Sequence, residues 1–209
     1  VGELILPAPV MLIVNQPAFN YLLENLLTGL GYPAELIIST DHLASAEKLL
    51  QQHLPNLILI DLSLDQTESI IFIQRLKKFH PDANVIVILA QHQTSLLFDA
   101  IQAGALGYIF HENTEAEMLN NIKSILRGGA PLHEVFAQYI LSYPVKSNQT
   151  ISSNPLNKPA HLTAIEFEIL NLVATGLNLR QIAEQTSNSL YKIEGNIKSI
   201  YRKLASLKN

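Results

Sequence analysis

Five times between residues 10 and 127, a short apolar run is followed by a longer amphipathic stretch. The runs are VMLIV (10–14), AELIIS (34–39), NLILID (56–61), NVIVIL (84–89) and GYIF (107–110). Each is too short for a helix and rich in Ile, Val and Leu, as strands buried on both faces require. Helical patterns follow them at about 17–29, 42–53, 66–79, 94–103 and 115–127. This alternation predicts an α/β doubly wound, five-stranded parallel sheet. Gly128-Gly129 is expected to stop the fifth helix.

A further short helix is predicted from about His133 to Ser142. Then comes YPVKSNQTISSNPLNKPA, rich in Ser, Asn and Pro and poor in apolar residues, which reads as a linker. The expected division is residues 1–130, a sheet domain; 131–158, a short helix and linker; and 159–209, a small all-α domain.

Charge follows the same division. The net charge of -4 combines an acidic body with a basic tail, because only four carboxylates lie beyond residue 145, against eight Lys and Arg. A basic tail suits a polyanionic partner. Cysteine is absent, which excludes disulfides and Cys-ligated zinc and agrees with a cytoplasmic location. No run of about 18 apolar residues occurs, so no membrane association is expected. The apolar start is short, broken by Pro7 and Pro9, and has no basic lead, so it does not read as a signal peptide.

The tail, LTAIEFEILNLVATGLNLRQIAEQTSNSLYKIEGNIKSIYRKLASLKN, contains two short helical patterns and one longer helix bearing basic residues. That is the layout of a helix-turn-helix reader. Leu162, Ile165, Ile169, Leu172 and Val173 recur at helical spacing and are expected in the core. Thr163 and Glu166 have capping-box spacing, and Gly176 suits a helix end. Asn178 is expected to cap LRQIAEQT, with Ile182 and Ala183 inside. Ser189 is expected to cap the long helix, whose inner seam is Ile193, Ile197, Ile200 and Leu204.

In open α/β sheets, ligands bind beyond the carboxyl ends of the strands. Those ends carry Asn15 and Gln16, Asp61, Leu89 and Ala90, and His111. Only Asp61 is a carboxylate. NQPAF follows the first strand, so no Gly-rich phosphate loop is present. His42, His53, His80, His92, His133 and His161 have no ligand spacing and read as surface residues.

The segments NLILIDLSL, HPDANVIVILA and AIQAGALGYIF resemble the phosphoacceptor strand, the fourth strand with its lead-in, and the fourth helix with fifth strand of response-regulator receivers. The tail resembles the LuxR-type helix-turn-helix, whose LTxxExxVLxLxAxG start is matched by LTAIEFEILNLVATG. The whole chain thus resembles a NarL/FixJ-type regulator with a degenerate receiver. The resemblance implies a flavodoxin-like receiver fold and a small helix-turn-helix domain. It places Asp61 on the phosphoacceptor and Tyr108 on the aromatic switch position.

Against that pattern the pocket is depleted. Asn15 and Gln16 stand where two acidic residues normally help to hold Mg²⁺. Leu89 replaces a hydroxyl residue, and His111 replaces a lysine. Phosphoryl transfer is mostly positioning and electrostatic stabilisation, and hard Mg²⁺ prefers carboxylate oxygens. Asp61 is therefore expected to be a vestigial phosphoacceptor. A solvated loop histidine is the favoured expectation for His111, with pH sensing or anion binding as the other.

In the tail, the resemblance puts Lys198 at a base-reading position, Glu194 where a lysine is usual, and Gly195 at a contacting neighbour. Arg180 matches a backbone-contacting residue on the preceding helix. Asn196 is a candidate for a base or the backbone, and Lys192, Arg202 and Lys203 are candidates for phosphates. Ser199 lies on the same outer surface. TSNS replaces the apolar-Gly-apolar turn of the family, with Thr186 and Asn188 on positions usually held by buried aliphatics. The family's fourth helix would follow the recognition helix and aid dimerisation; Asn209 comes first here.

The expected function is a DNA-binding transcriptional regulator acting without conventional aspartyl phosphorylation. Expected partners are double-stranded DNA, a second copy as a homodimer, and a protein or small ligand at the receiver. Dimerisation by analogy would use the face around Leu96 to Tyr108, with Leu97 and Phe98 on its helix. No cofactor, metal or enzymatic activity is expected. The alternative is a pseudo-receiver protein-interaction regulator with a vestigial DNA-binding domain.

Overall fold

The computed structural model describes residues 8–143 and 162–207. The expected linker from Pro144 to Ala160, and His161, lie outside the described residues. Two compact units divide between Leu126 and Arg127.

The first unit is a five-stranded parallel sheet in the order β2-β1-β3-β4-β5. Its strands are β1 (Val10–Ile13), β2 (Ile37–Thr40), β3 (Leu57–Asp61), β4 (Asn84–Leu89) and β5 (Gly107–Phe110). The helices are α1 (Pro17–Gly29), α2 (Leu43–His53), α3 (Gln66–Phe79), α4 (Thr94–Ala103) and α5 (Glu115–Leu126). Every residue of β1, β3 and β5 is buried. Helices cover both faces of such a sheet, which is why these strands are apolar throughout rather than alternating. Edge strand β2 is only partly buried.

The run 34–39 divides where one strand was expected. Ala34–Leu36 forms a 3-10 turn, and the strand starts at Ile37. Pro33 accepts from the Leu36 amide at 2.9 Å, while Ala34 and Glu35 are exposed and poor strand formers. The β-branched Ile37 and Ile38 begin the ladder beside Val10 and Met11.

The order places β1 between β2 and β3, so the chain leaves β1 in opposite directions. This switch point opens a crevice at the carboxyl ends of β1 and β3. Asn15 and Gln16 follow β1, and Asp61 is the last residue of β3.

The second unit holds α6 (Glu134–Ser142), α7 (Ala164–Ala174), α8 (Leu179–Gln185) and α9 (Leu190–Ala205). Helix α6 packs on α7, and Gln138 Nε2 donates to the Ala174 carbonyl at 3.0 Å. Phe136 meets Tyr201 of α9 edge-on with ring centroids 6.3 Å apart. The Tyr201 hydroxyl donates to the Pro131 carbonyl. Helix α6 is thus part of the helical unit's core, through Phe136, Ala137 and Ile140, where a connector helix was expected.

The α7–α9 core follows the apolar pattern. Leu162, Ile169, Val173, Ile182, Ala183, Ile193, Ile197, Ile200 and Leu204 are buried, joined by Leu170 and Tyr201. Ile165 and Leu172 are half-buried. The caps of Thr163, Asn178 and Ser189 are all formed, the first two as full capping boxes. Among the described residues, no helix is long and apolar enough to cross a membrane.

Candidate functional site

Asp61 is fully buried. Its Oδ1 accepts from the Ser63 amide at 2.8 Å and lies 3.3 Å from His111 Nε2. Its Oδ2 is buried without a hydrogen-bond partner. His111 follows β5, and its amide donates to the Leu89 carbonyl at 3.0 Å. From there the side chain reaches past β4 to the end of β3. Phe19 of α1 flanks the imidazole, with ring centroids 5.0 Å apart.

This corrects the expectation of a solvated loop histidine. The side chain of His111 is 25% exposed and forms an ion pair with Asp61 when protonated. Burial pushes the Asp61 carboxyl up, but the hydrogen bonds from His111 and Ser63 and the charge of His111 outweigh it and hold the group below its ordinary value. The Asp61 hydrogen bond raises His111 above its ordinary value; burial opposes this, and the charges of Asp61 and Glu112 assist it.

Among the described residues, Asp61 takes His111 as a side-chain partner rather than Asn15, Gln16 or Leu89. Asn15 and Gln16 are exposed, and Gln16 precedes α1 without capping it by its side chain. Leu89 is fully buried in β4 beside Phe110. Tyr108 is also core: it is buried and packs on Phe110 at 4.9 Å. Leu97 and Phe98 are buried as well, so the α4–β5 surface presents Asp99 and Leu106, with Leu96 half-buried.

Receivers hold Mg²⁺ beside the phosphoacceptor, and the donors here do not fit that ion. Asp61 is the carboxylate at the end of β3, its Oδ1 is already engaged, and the nearby Glu112 carboxylate accepts from the Gln91 amide instead. Asn15 and Gln16 supply neutral amide groups only. Among the described residues, no group of three or more His, Cys, Asp or Glu is placed to hold a metal. The several carboxylate oxygens that Mg²⁺ prefers are therefore not assembled here.

In the second unit, α8 ends in a Schellman turn. The Ser187 amide donates to Glu184 at 3.2 Å and the Asn188 amide to Ala183 at 2.9 Å. Ser187 takes φ 52, the left-handed conformation that favours glycine. The polar residues flanking it hold backbone carbonyls: Thr186 Oγ1 donates to Ile182 at 2.7 Å, and Asn188 Nδ2 to Thr186 at 2.9 Å. Hydrogen bonds thus replace the apolar packing usual in this turn.

Helix α9 separates the candidate DNA-reading residues by face. Gly195, Lys198 and Arg202 are exposed on the side opposite Ile193, Ile197, Ile200 and Leu204. Arg180 and Lys192 are exposed nearby in sequence order on α8 and α9. Glu194, Asn196 and Ser199 are half-buried. Asn196 Nδ2 is turned back to the Lys192 carbonyl at 2.7 Å.

Lys203 departs from its expected role. Its Nζ lies 2.6 Å from Glu166 Oε2, whose carboxylate also accepts from the Thr163 amide at 2.6 Å. Glu166 has 3% side-chain exposure against 30% for Lys203. Burial pushes Glu166 up, yet bonds from Lys203, Thr163 and Ser199 overcome this and lower it to about 2. Lys203 is therefore held inward as the counter-ion of a buried cap. The spacing of Thr163 and Glu166 signalled the cap; its third member lies 37 residues away and left no local trace.

The response regulator receiver domain matches residues 10–123, the whole span from β1 into α5. The chain belongs to the response regulator receiver family. Like other regulators of this family it is similar to proteins that extend beyond the receiver. Fimbriae Z protein of Salmonella typhimurium is 24% identical over 198 residues, covering 95% of this chain and 90% of that protein. Oxygen regulatory protein NreC of Staphylococcus carnosus is 26% identical over 161 residues, 76% of this chain and 74% of that one. In fold, the RcsB response regulator of Salmonella typhimurium aligns over 97% of this chain and 94% of its own, with TM-score 0.57 and 16% identity. The receiver has the flavodoxin-like fold, and a small helical unit follows it, as in that response regulator.

Proposed function

We propose that this response regulator binds double-stranded DNA to control transcription and that its receiver works without conventional aspartyl phosphorylation. The outward face of α9 carries the reading: Lys198 and Arg202 are exposed opposite the core, and among the described residues no acidic side chain is paired to either, although Lys198 Nζ lies near Gly128. Lys198 suits guanine acceptors in the major groove, and Arg180, Lys192 and Arg202 suit phosphates. A homodimer suits a two-fold site, because paired helix-turn-helix units bind half-sites about one helical turn apart.

The receiver half of the reading rests on His111. His111 Nε2 already occupies the side of Asp61 Oδ1, as a cation when protonated, and Asn15 and Gln16 stand where the family's acidic pair would help to bring in Mg²⁺. A small acyl phosphate donor with Mg²⁺ is expected to leave the intact mass unchanged. A stable phosphoryl adduct on Asp61 would overturn this half. A protein or small ligand at the receiver is the expected input.

The DNA half is tested by fluorescence anisotropy of a random-sequence duplex across a salt series. Three phosphate contacts per unit give a log-log slope of about -3 for one bound unit and about -5 for a dimer. Absence of binding at low salt would overturn it and leave protein capture by the receiver as the function.

A further inference from the structure

Tyr191 is 86% exposed, more than any other large apolar side chain among the described residues. It stands in the first turn of α9, two residues after the Ser189 cap. Tyr191, Gly195, Lys198 and Arg202 recur at helical spacing along one line, and all four are exposed. That line runs opposite Ile193, Ile197, Ile200 and Leu204, which are buried. A Cβ added at Gly195 would meet nothing within 4 Å. One turn after Tyr191, therefore, the outward face has no side chain, and the backbone itself is the surface.

Among the described residues of its own unit, nothing covers the Tyr191 ring. In a recognition helix the N-terminal residues are the ones that reach base edges. An aromatic ring there has one apolar feature to meet in the major groove, the C5-methyl group of thymine. The notch at Gly195 lets the helix backbone approach closely enough for a ring beside it to touch the base. Lys198, one turn further on, then lies within the same groove.

We infer that Tyr191 is a specificity-determining residue that packs its ring on a thymine methyl group, next to the base or phosphate reached by Lys198. This rests on the DNA-reading function proposed above. Tyr191 would add a preference for thymine at one defined position of each half-site, which the basic residues cannot supply.

The test uses the full chain and a duplex selected from a random-sequence library. Each thymine of the selected site is replaced singly by uracil, which removes only the methyl group. At one position the wild-type chain is expected to lose about fourfold in affinity, the worth of one buried methyl. Tyr191→Phe keeps the ring and should retain that loss; Tyr191→Ala should show no loss at the same position. Both variants alter an exposed side chain, so circular dichroism should report an unchanged fold. An unchanged uracil penalty in Tyr191→Ala, or no penalty in the wild type, overturns the inference while leaving DNA binding intact. No binding by the wild type to any duplex overturns the DNA-reading function and this inference with it.

Discussion

His111 Nε2 lies 3.3 Å from Asp61 Oδ1, across the carboxyl end of the receiver sheet. In this family a lysine stands at that position, permanently charged near neutral pH. A histidine makes the same neutralisation titratable. The neighbours that set its charge are Asp61 of β3 and Glu112 beside it, with the apolar Phe19 from α1.

The pair is expected to leave a pH signature on stability. His111 is raised in the folded state, so its contribution is complete below about pH 6.5, the unfolded value. It is lost as pH rises through the folded value. Asp61 is lowered, so its contribution is present above about pH 3.9 and lost as pH falls through its folded value. Thermal unfolding of His111→Gln should show a deficit of about 1–2 kcal/mol at pH 5.5, shrinking toward alkaline pH. A deficit that stays constant from pH 5.5 to pH 9 would contradict the ionic pairing.

The buried cap in the helical unit should be more costly to break. Lys203→Met keeps the apolar stem and removes the charge opposite Glu166. A loss of about 2–4 kcal/mol is expected in the second unit, at the low end because Lys203 is 30% exposed. Glu166 is lowered to about 2, so its contribution holds above about pH 4.3 and disappears as pH falls through about 2. Chemical denaturation at pH 7 measures the loss, and a change below about 0.5 kcal/mol would show that the carboxylate is not held by this partner.

Ser187 occupies the left-handed region at φ 52, where an L side chain is strained. Ser187→Gly is expected to raise stability by about 0.5–1 kcal/mol, because relief of about 1–2 kcal/mol of left-handed strain exceeds the roughly 0.4–1 kcal/mol lost to greater freedom of the unfolded chain. The same substitution should leave α9 and its exposed face untouched. A lower unfolding midpoint would mean that the Ser187 side chain makes a contact worth more than the strain.

Gly195 separates folding from function. Its added Cβ meets nothing within 4 Å, so Gly195→Ala should stabilise α9 by about 1 kcal/mol. If the helix lies close against DNA, the same methyl group should weaken binding. A variant that is both more stable and equally tight on DNA would remove close approach at this position.

Strand and helix positions were legible because burial on both faces writes continuous Ile, Val and Leu runs. The exception, at Ala34–Leu36, was a turn set by Pro33 inside an apolar-looking run. Caps were legible because Thr163, Asn178 and Ser189 act on residues two or three places along. What local pattern does not carry is pairing across the fold. His111 meets Asp61 from two strands away, and Lys203 meets Glu166 from another helix. Each was read as a solvent-facing group because its partner is distant in sequence. Tyr191 has no feature that sets it apart in the sequence, and only its exposure shows that it faces outward.

A DNA reader of this kind works in a state that does not depend on an acyl phosphate at Asp61. The direct measurement is duplex affinity of the full chain across a salt series, with and without prior incubation with a small acyl phosphate donor and Mg²⁺. The expected result is one salt-dependent curve, the same in both conditions, with a slope of about -3 for one bound unit or about -5 for a dimer. Binding that appears or tightens only after the phosphodonor would contradict it, as would no binding in either condition.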